Sequence, residues 1–519
     1  MSKFGQLVKR CQFREVKDAL GSGNFGTVYR AFDTHMKKLV ALKILGKGKQ
    51  MEANYKREVQ GFFKWSTRSR DRRSCQKRLD WAPKQPKMVR LPHKSVCVIG
   101  GGAAGLCAAK HLIDNGFKVV VYEQQSEIGG TWVYSEKTDV FSSLYEKMIT
   151  NIPKEIMRFE DYPFETKDAS SFVPHQEVLA YLQRYSASFR HVIKCNTTVV
   201  KVERNNNSWQ VTTRPVQSTG QENESTQEFD AVFVCNGHFA QPRILGCAKK
   251  LKIPWIHCHN YRKPDGYKGQ NVLIIGGGPS GTDVAIQISQ FAKSVHLLYD
   301  QKIKYVLPPN VQCHSRLGDV SDDGKTFLLE SGEELKNVDS VIFCTGYTYD
   351  VPFFDSTDKN SKKLVEVKGN GSYIAPLYQH CVHPSYPNSL YFIGLCWSLI
   401  PFVLFDHQIQ YCIALMMSQV PVPSQEEMWN FEENRLRELK KNAQPVKFYH
   451  RMHTAQWVYF ELLSKVANRP HTLPPVAKAI YEHVHDQRQV NLTTYKANRY
   501  RIVDENTFEF TPVIDQVFD

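Results

Sequence analysis

Two glycine turns carry the chemistry most plainly. Gly100-Gly101-Gly102-Ala103-Ala104-Gly105 and Gly276-Gly277-Gly278-Pro279-Ser280-Gly281 both read GxGxxG. In such a turn the first glycine permits the tight bend and the second lets a pyrophosphate approach the backbone. The third lets helix and strand pack closely. A helix starting there adds partial positive charge toward the phosphates. Each copy is followed by a carboxylate at the distance that suits a ribose hydroxyl: Glu123 lies 23 residues past Gly100, and Asp300 lies 24 past Gly276.

The elements needed to position these groups are written around them. Ser95-Val96-Cys97-Val98-Ile99 is a continuous apolar run of the kind central parallel strands show, and it leads into the first turn. Good helix formers follow from Leu106 to Ile113, and a second strand, Lys118 to Tyr122, ends at Glu123. The unit recurs: Asn271 to Ile275, the second turn, a helix to about Phe291, then a strand Ser294 to Leu298. Two complete strand–turn–helix units predict an α/β fold with two Rossmann-like dinucleotide domains, one holding a flavin and the other delivering hydride to it.

At this point residues 94–519 resemble the flavin-containing monooxygenases. The resemblance is carried by Gly129-Gly130-Thr131-Trp132, by Thr150-Asn151-Ile152-Pro153-Lys154-Glu155, by Phe229 to His238, by Phe343-Cys344-Thr345-Gly346-Tyr347, and by His257 with Tyr261. It implies FAD on Gly100, Gly101, Gly102, Ala103, Ala104, Gly105, Glu123, Gly130, Thr131, Trp132 and Asn151. It also implies NADP on Thr150, Asn151, Gly276, Gly278, Ser280, Gly281, Asp283 and Lys302, with Asn151 the catalytic residue. The implied organisation inserts an NAD(P)H-binding domain, 251–339, between two parts of an FAD-binding domain, 94–250 and 340–519. The implied reaction reduces FAD with NADPH, forms a C4a-hydroperoxide with dioxygen, and passes oxygen to a tertiary amine or thioether. Attack by a lone pair on a peroxide needs no enzymic base, and no metal is expected.

Two departures stand out. The family fingerprint ahead of His257 usually has Phe and Gly where this chain has Leu251 and Ile253. Asp300 stands where NADPH users commonly carry Arg, so local chemistry favours NADH while the resemblance favours NADPH. Lys302 and Lys304 are the nearest cations for a 2′-phosphate. An oxidase releasing hydrogen peroxide is the competing enzymic reading.

A third turn, Gly21-Ser22-Gly23-Asn24-Phe25-Gly26, runs toward Val28 and then Leu39-Val40-Ala41-Leu42-Lys43-Ile44. Residues 12–62 resemble the first lobe of a protein kinase, which implies a vestigial ATP site at Gly21, Gly23, Gly26 and Lys43, with Glu58 as partner of Lys43. No HRD or DFG triplet occurs in the 519 residues, so no kinase activity is expected. A fused fragment is the favoured account of residues 1–62, over a nucleotide-binding regulatory module.

Charge narrows the remaining classes. The net charge is +15, but residues 1–93 alone hold 23 Lys+Arg against 7 Asp+Glu. The rest is nearly neutral, which argues against a nucleic-acid binder. Residues 63–93 read as a basic linker. The 13 cysteines include no CxxC pair, which suits free thiols in a reducing compartment and counts against a dithiol reductase. The apolar stretch 390–405 is interrupted by Gly394, Ser398 and Pro401 and reads as buried core, not a membrane anchor. A cytoplasmic enzyme acting on a small molecule is expected; the oligomeric state stays open.

Overall fold

The structure, a computed structural model, describes residues 94–138, 140–165, 169–217, 223–299, 306–354, 363–470 and 473–512, with the backbone alone of four earlier strands. The chain divides into two compact units, Met1–Met88 and Val89–Asp519. In the first, Ala19–Gly23 and Gly26–Asp33 pair antiparallel with Gly23 opposite Gly26, and Lys38–Ile44 and Cys11–Gln12 both pair with Gly26–Asp33. Gly21, Gly23 and Gly26 thus lie on one hairpin. The Lys43 side chain, Glu58 and the 63–93 linker lie outside the described residues.

The second unit begins with β1 (Ser95–Ile99), α1 (Ala103–Asp114), β2 (Lys118–Tyr122), β3 (Ile193–Lys194) and β4 (Ala231–Val234). There follow β5 (Gln241–Pro242), β6 (Trp255–His257), β7 (Asn271–Ile275), α2 (Pro279–Ser289), β8 (Ser294–Leu298), β9 (Val311–His314), β10 (Ser340–Phe343) and β11 (Tyr347–Thr348). Last come β12 (Leu390–Phe392), α3 (Pro401–Met416) and α4 (Pro475–Val490).

Two five-stranded sheets result, ordered β12-β4-β1-β2-β3 and β6-β10-β7-β8-β9. Every pair in both is parallel. Their central strands are buried on both faces, which is why they are apolar throughout and not alternating. One face of the first sheet packs on α1 and α3; Val96, Val98, Leu106, Leu112 and Ile413 share that core. The other face packs on an antiparallel meander, 197–229, through Trp209, Val211, Cys97 and Val232. The second sheet is covered likewise, by α2 on one side and by the 317–335 meander on the other. All strands of the second sheet fall between β4 and β12 of the first, and the crossing segments β5 and β11 pair antiparallel side by side, Gln241 with Thr348 and Pro242 with Tyr347.

The apolar stretch 390–405 is a strand followed by the start of α3, and most of it is buried in this core. Among the described residues no helix is long and apolar enough to cross a membrane.

Candidate functional site

The two glycine turns match contact by contact. Gly100 N–H donates to Tyr122 O at 2.8 Å, and Gly276 N–H to Leu298 O at 2.9 Å. Cys235 N–H donates to Ile99 O, and Cys344 N–H to Ile275 O, both at 2.8 Å. Asp230 takes the Ser95 N–H at 2.7 Å and Asp339 takes the Asn271 N–H at 2.7 Å, so one aspartate anchors the start of each central strand. The first and third glycines answer to the fold itself. Gly100 and Gly276 have φ of +104° and +115°, and a Cβ on Gly105 or Gly281 would sit 1.8 Å from a turn carbonyl.

The second glycines do not. Gly278 has an ordinary φ of −72° and a Cβ there would meet nothing within 4 Å; Gly102, at φ −77°, would meet only Gly130 Cα at 3.5 Å. Nothing among the described residues requires glycine at either place, whereas a close-lying ligand would. Both stand at helix N-terminal caps, where free N–H groups and the helix dipole favour an anion. Gly278 and Ser280 are exposed. The residues present therefore fit a pyrophosphate at each turn.

Glu123 distinguishes the first turn. Its side chain is buried, and its two oxygens accept from Gly101 N–H at 2.6 Å and Gln125 N–H at 2.7 Å. Burial pushes the carboxyl up, and the Gln125, Gly101 and Gln124 N–H groups pull it back. A carboxylate has about four acceptor positions, so room remains for a ribose hydroxyl. The loop Gly130–Trp132 packs directly on the turn: Gly129 N–H donates to Gly101 O at 2.9 Å, and a Cβ on Gly130 would lie 2.9 Å from Gly102 Cα. Thr131 Oγ1 bonds Ser143 Oγ at 3.2 Å, and Trp132 is half-buried. Around Gly102 stand the half-buried Ala103 and Ala104.

Thr150 and Asn151 lie where the two sheets' domains meet. Thr150 is buried and its hydroxyl accepts Val173 N–H at 3.1 Å, which pins the segment. Asn151 Oδ1 accepts the Tyr495 hydroxyl at 3.1 Å. Asp283, on α2, is held by Lys496 Nζ at 2.7 and 2.9 Å and by the Tyr145 hydroxyl at 2.6 Å. It ties the nucleotide helix to the flavin-side segment. Asp300, Lys302 and Lys304 lie outside the described residues.

Behind the second turn, His257 Nδ1 accepts His259 N–H at 3.1 Å, and His259 Nε2 bonds Val140 O at 2.7 Å. Cys258 and Cys344 stand just beyond paired strands β6 and β10. The Cys344 thiol hydrogen-bonds Cys258, which holds the Cys258 thiol down despite burial and pushes that of Cys344 up. The unusual Leu251 and Ile253 pack on the core beneath the second sheet. Arg262 adds further contacts, donating to the carbonyls of Ser135, Lys137 and Ser142 and to those of His259 and Tyr261.

Sequence reasoning passed over Tyr495, Lys496 and Arg262, because nothing local marks them: each acts on carbonyls or side chains far away in the chain. It also passed over two polar clusters with metal-ligand spacing, His380–Cys396–His450 and Cys107–His111–Asp406. Both are internally bonded. His380 Nδ1 meets His450 Nδ1 at 3.0 Å while His450 Nε2 accepts Ile374 N–H, and Asp406 takes His111 at 2.7 Å and the Cys107 thiol at 3.3 Å. A cavity of about 190 Å³ is lined by Glu155, Glu160 and Asp406 together with Arg158 and His407, and neither glycine turn borders it.

The chain's relatives agree with this geometry. A family model described as flavin-binding monooxygenase-like matches residues 93–313 and 297–509. The Arabidopsis thaliana flavin-containing monooxygenase FMO GS-OX5 is 34% identical over 414 residues, covering 74% of this chain and 87% of its own. The S-allyl-L-cysteine S-oxygenase of Allium sativum superposes with a TM-score of 0.70 at 29% identity, over 78% of this chain and 94% of its own. Tmm from Pelagibacter sp. strain HTCC7211 gives 0.66 at 25% identity, over 80% and 96%. FAD and NADPH are the cofactors of these enzymes. The chain belongs to the flavin-containing monooxygenase family.

Proposed function

We propose that this enzyme oxygenates soft sulfur or nitrogen nucleophiles, a thioether or a tertiary amine, with electrons from NADPH. The observation that carries the reading is Asn151, held at the junction of the two dinucleotide domains by Tyr495, with no partner for its Nδ2 among the described residues. Bound flavin, once reduced, supplies the oxygen-transfer chemistry. The chain's residues do the rest. Gly102 and Gly278 admit the pyrophosphates at helix N-termini, and Glu123 holds a ribose. Thr131 and Trp132 close the flavin side, while Gly276, Ser280 and Gly281 shape the NADP side. The Asn151 amide donates a hydrogen bond toward the reacting oxygen without offering an acidic proton, and the Asp283–Lys496 seam keeps water out.

Sulfur is the preferred first substrate class, since the Allium sativum neighbour is an S-oxygenase by name. The domain limits 94–250, 251–339 and 340–519 belong to the same proposal, as does preference for NADPH over NADH despite Asp300. The test is stoichiometry: a methyl thioether is oxidised with one sulfoxide formed per NADPH, and Asn151→Ala keeps FAD but loses that coupling. Unchanged coupling in Asn151→Ala would sink the role of Asn151. Quantitative hydrogen peroxide release in the presence of both thioether and tertiary amine would favour the oxidase. A higher kcat/KM with NADH would overturn the cofactor preference.

A further inference from the structure

We infer that Tyr495 is the positioning residue of the oxygenation site: its hydroxyl, bonded to Asn151 Oδ1, decides which way the Asn151 amide faces. The inference rests on the reading of Asn151 above.

An asparagine amide is nearly symmetric in shape about its last torsion, but its two ends are opposite in chemistry. One end donates and the other only accepts. Inverted, Asn151 would present a carbonyl oxygen to the reacting oxygen and could not donate to it. Something must therefore break the symmetry.

The structure supplies one group for this. The backbone around Asn151 is already fixed: Thr150 N–H donates to Val173 O at 3.0 Å, the Thr150 hydroxyl accepts Val173 N–H, and Lys496 Nζ reaches Ile149 O at 3.2 Å. What stays rotatable is the amide. Tyr495 comes from 344 residues along the chain and is fully buried, with Phe172 edge-on to its ring at 5.5 Å. Its hydroxyl meets the carbonyl end of Asn151 at 3.1 Å, which turns Nδ2 to the opposite side. The neighbouring Lys496 binds Asp283 on the nucleotide helix, so the short 495–496 segment holds the asparagine and the NADP domain at once.

The test uses the FAD-loaded full chain carrying Tyr495→Phe, which keeps the ring and its packing. FAD content and the rate of flavin reduction by NADPH are expected to stay within about twofold of native and Tm within a few degrees, since the ring and its packing are kept. The share of turnovers that run as NADPH + H⁺ + O₂ → NADP⁺ + H₂O₂, without sulfoxide, is expected to rise about fivefold, the bias one such bond provides. In an Asn151→Ala background Tyr495→Phe should add nothing, because the tyrosine acts through the asparagine. An equal rise in both backgrounds would overturn the inference, and so would an unchanged leak in Tyr495→Phe while Asn151→Ala leaks. Should Asn151→Ala itself stay coupled, the reading of Asn151 falls first. If Tyr495→Phe loses FAD, 3-fluorotyrosine at position 495, of similar shape and a stronger donor, is expected to hold the leak at or below native; a rise there overturns the inference.

Discussion

Replacing Gly278 with alanine separates a ligand's demand for glycine from the fold's. At φ −72° an alanine fits the backbone, and its Cβ meets no atom within 4 Å. Loss of glycine at a helix N-cap costs up to about 1 kcal/mol, and the stiffer unfolded chain returns about 0.4–1 kcal/mol. Stability of the cofactor-free protein should therefore be nearly unchanged. The methyl instead occupies the space a pyrophosphate oxygen needs to reach the helix N–H groups. Losing one such charged hydrogen bond costs about 1.5–3 kcal/mol, or about 10- to 150-fold in affinity. The prediction is a KM for NADPH raised by that factor, with Tm shifted by only a few degrees and FAD still bound. Gly281→Ala is the control: its Cβ would lie 1.8 Å from Gly276 O, so it should unfold the domain. Steady-state kinetics with varied NADPH, alongside thermal denaturation, reads both. If Gly278→Ala leaves KM unchanged, no phosphate approaches this turn and the assignment of the second site is wrong.

Other outcomes can be stated briefly. His380 and His383 are buried, and burial holds them down at about 3 and about 4. The unfolded chain then binds more protons below its ordinary histidine pKa near 6.5, so this stability is present above about pH 6.5 and is lost as pH falls toward 4, by about 1.4 kcal/mol per pH unit for each histidine. Tm measured from pH 7 to 5 should fall, and His383→Gln should flatten that fall; a flat native profile would contradict it. Lys496→Met leaves Asp283 facing Tyr145 without its cation, with side chains only 17% and 16% exposed, and should cost about 3 kcal/mol. Lys496→Met with Asp283→Asn should recover part of that loss in denaturant titrations; a double variant no more stable than the single would show the pair is not coupled. Arg262→Met removes the donor to five carbonyls and should lower Tm and open the chain around Ser135, Lys137 and Ser142 to proteolysis, readable by thermal denaturation and limited digestion; native Tm with an unchanged digestion pattern would contradict it.

Much of this architecture was legible because it is written locally. An apolar five-residue run, a glycine triplet spacing and a helix lie within twenty residues, and the unit is written twice. Glu123 was legible for the same reason. Asp283 was expected to face the nucleotide, yet Lys496, more than two hundred residues on, claims its carboxylate. Thr150 likewise turns inward to Val173. Asn151 was singled out by its motif, but its hydrogen-bond partner Tyr495 was not, since a lone tyrosine near the C-terminus has no pattern that announces a neighbour 344 residues away. Polar partners joined by tertiary folding leave no periodicity to read.

The way the second sheet interrupts the first has a kinetic consequence. Val232 cannot meet Leu390 until on the order of 150 residues of chain are brought round, a costly closure if that chain is loose. The paired crossing segments remove the cost, because once Gln241 and Thr348 lie side by side the enclosed chain counts as a short bridge. The nucleotide domain should thus acquire structure first, with hydrogen-exchange protection appearing in 255–343 before 390–392 during refolding. In this order of assembly the inner sheet is finished before the edge of the outer one, and it serves as the splint on which the outer sheet closes.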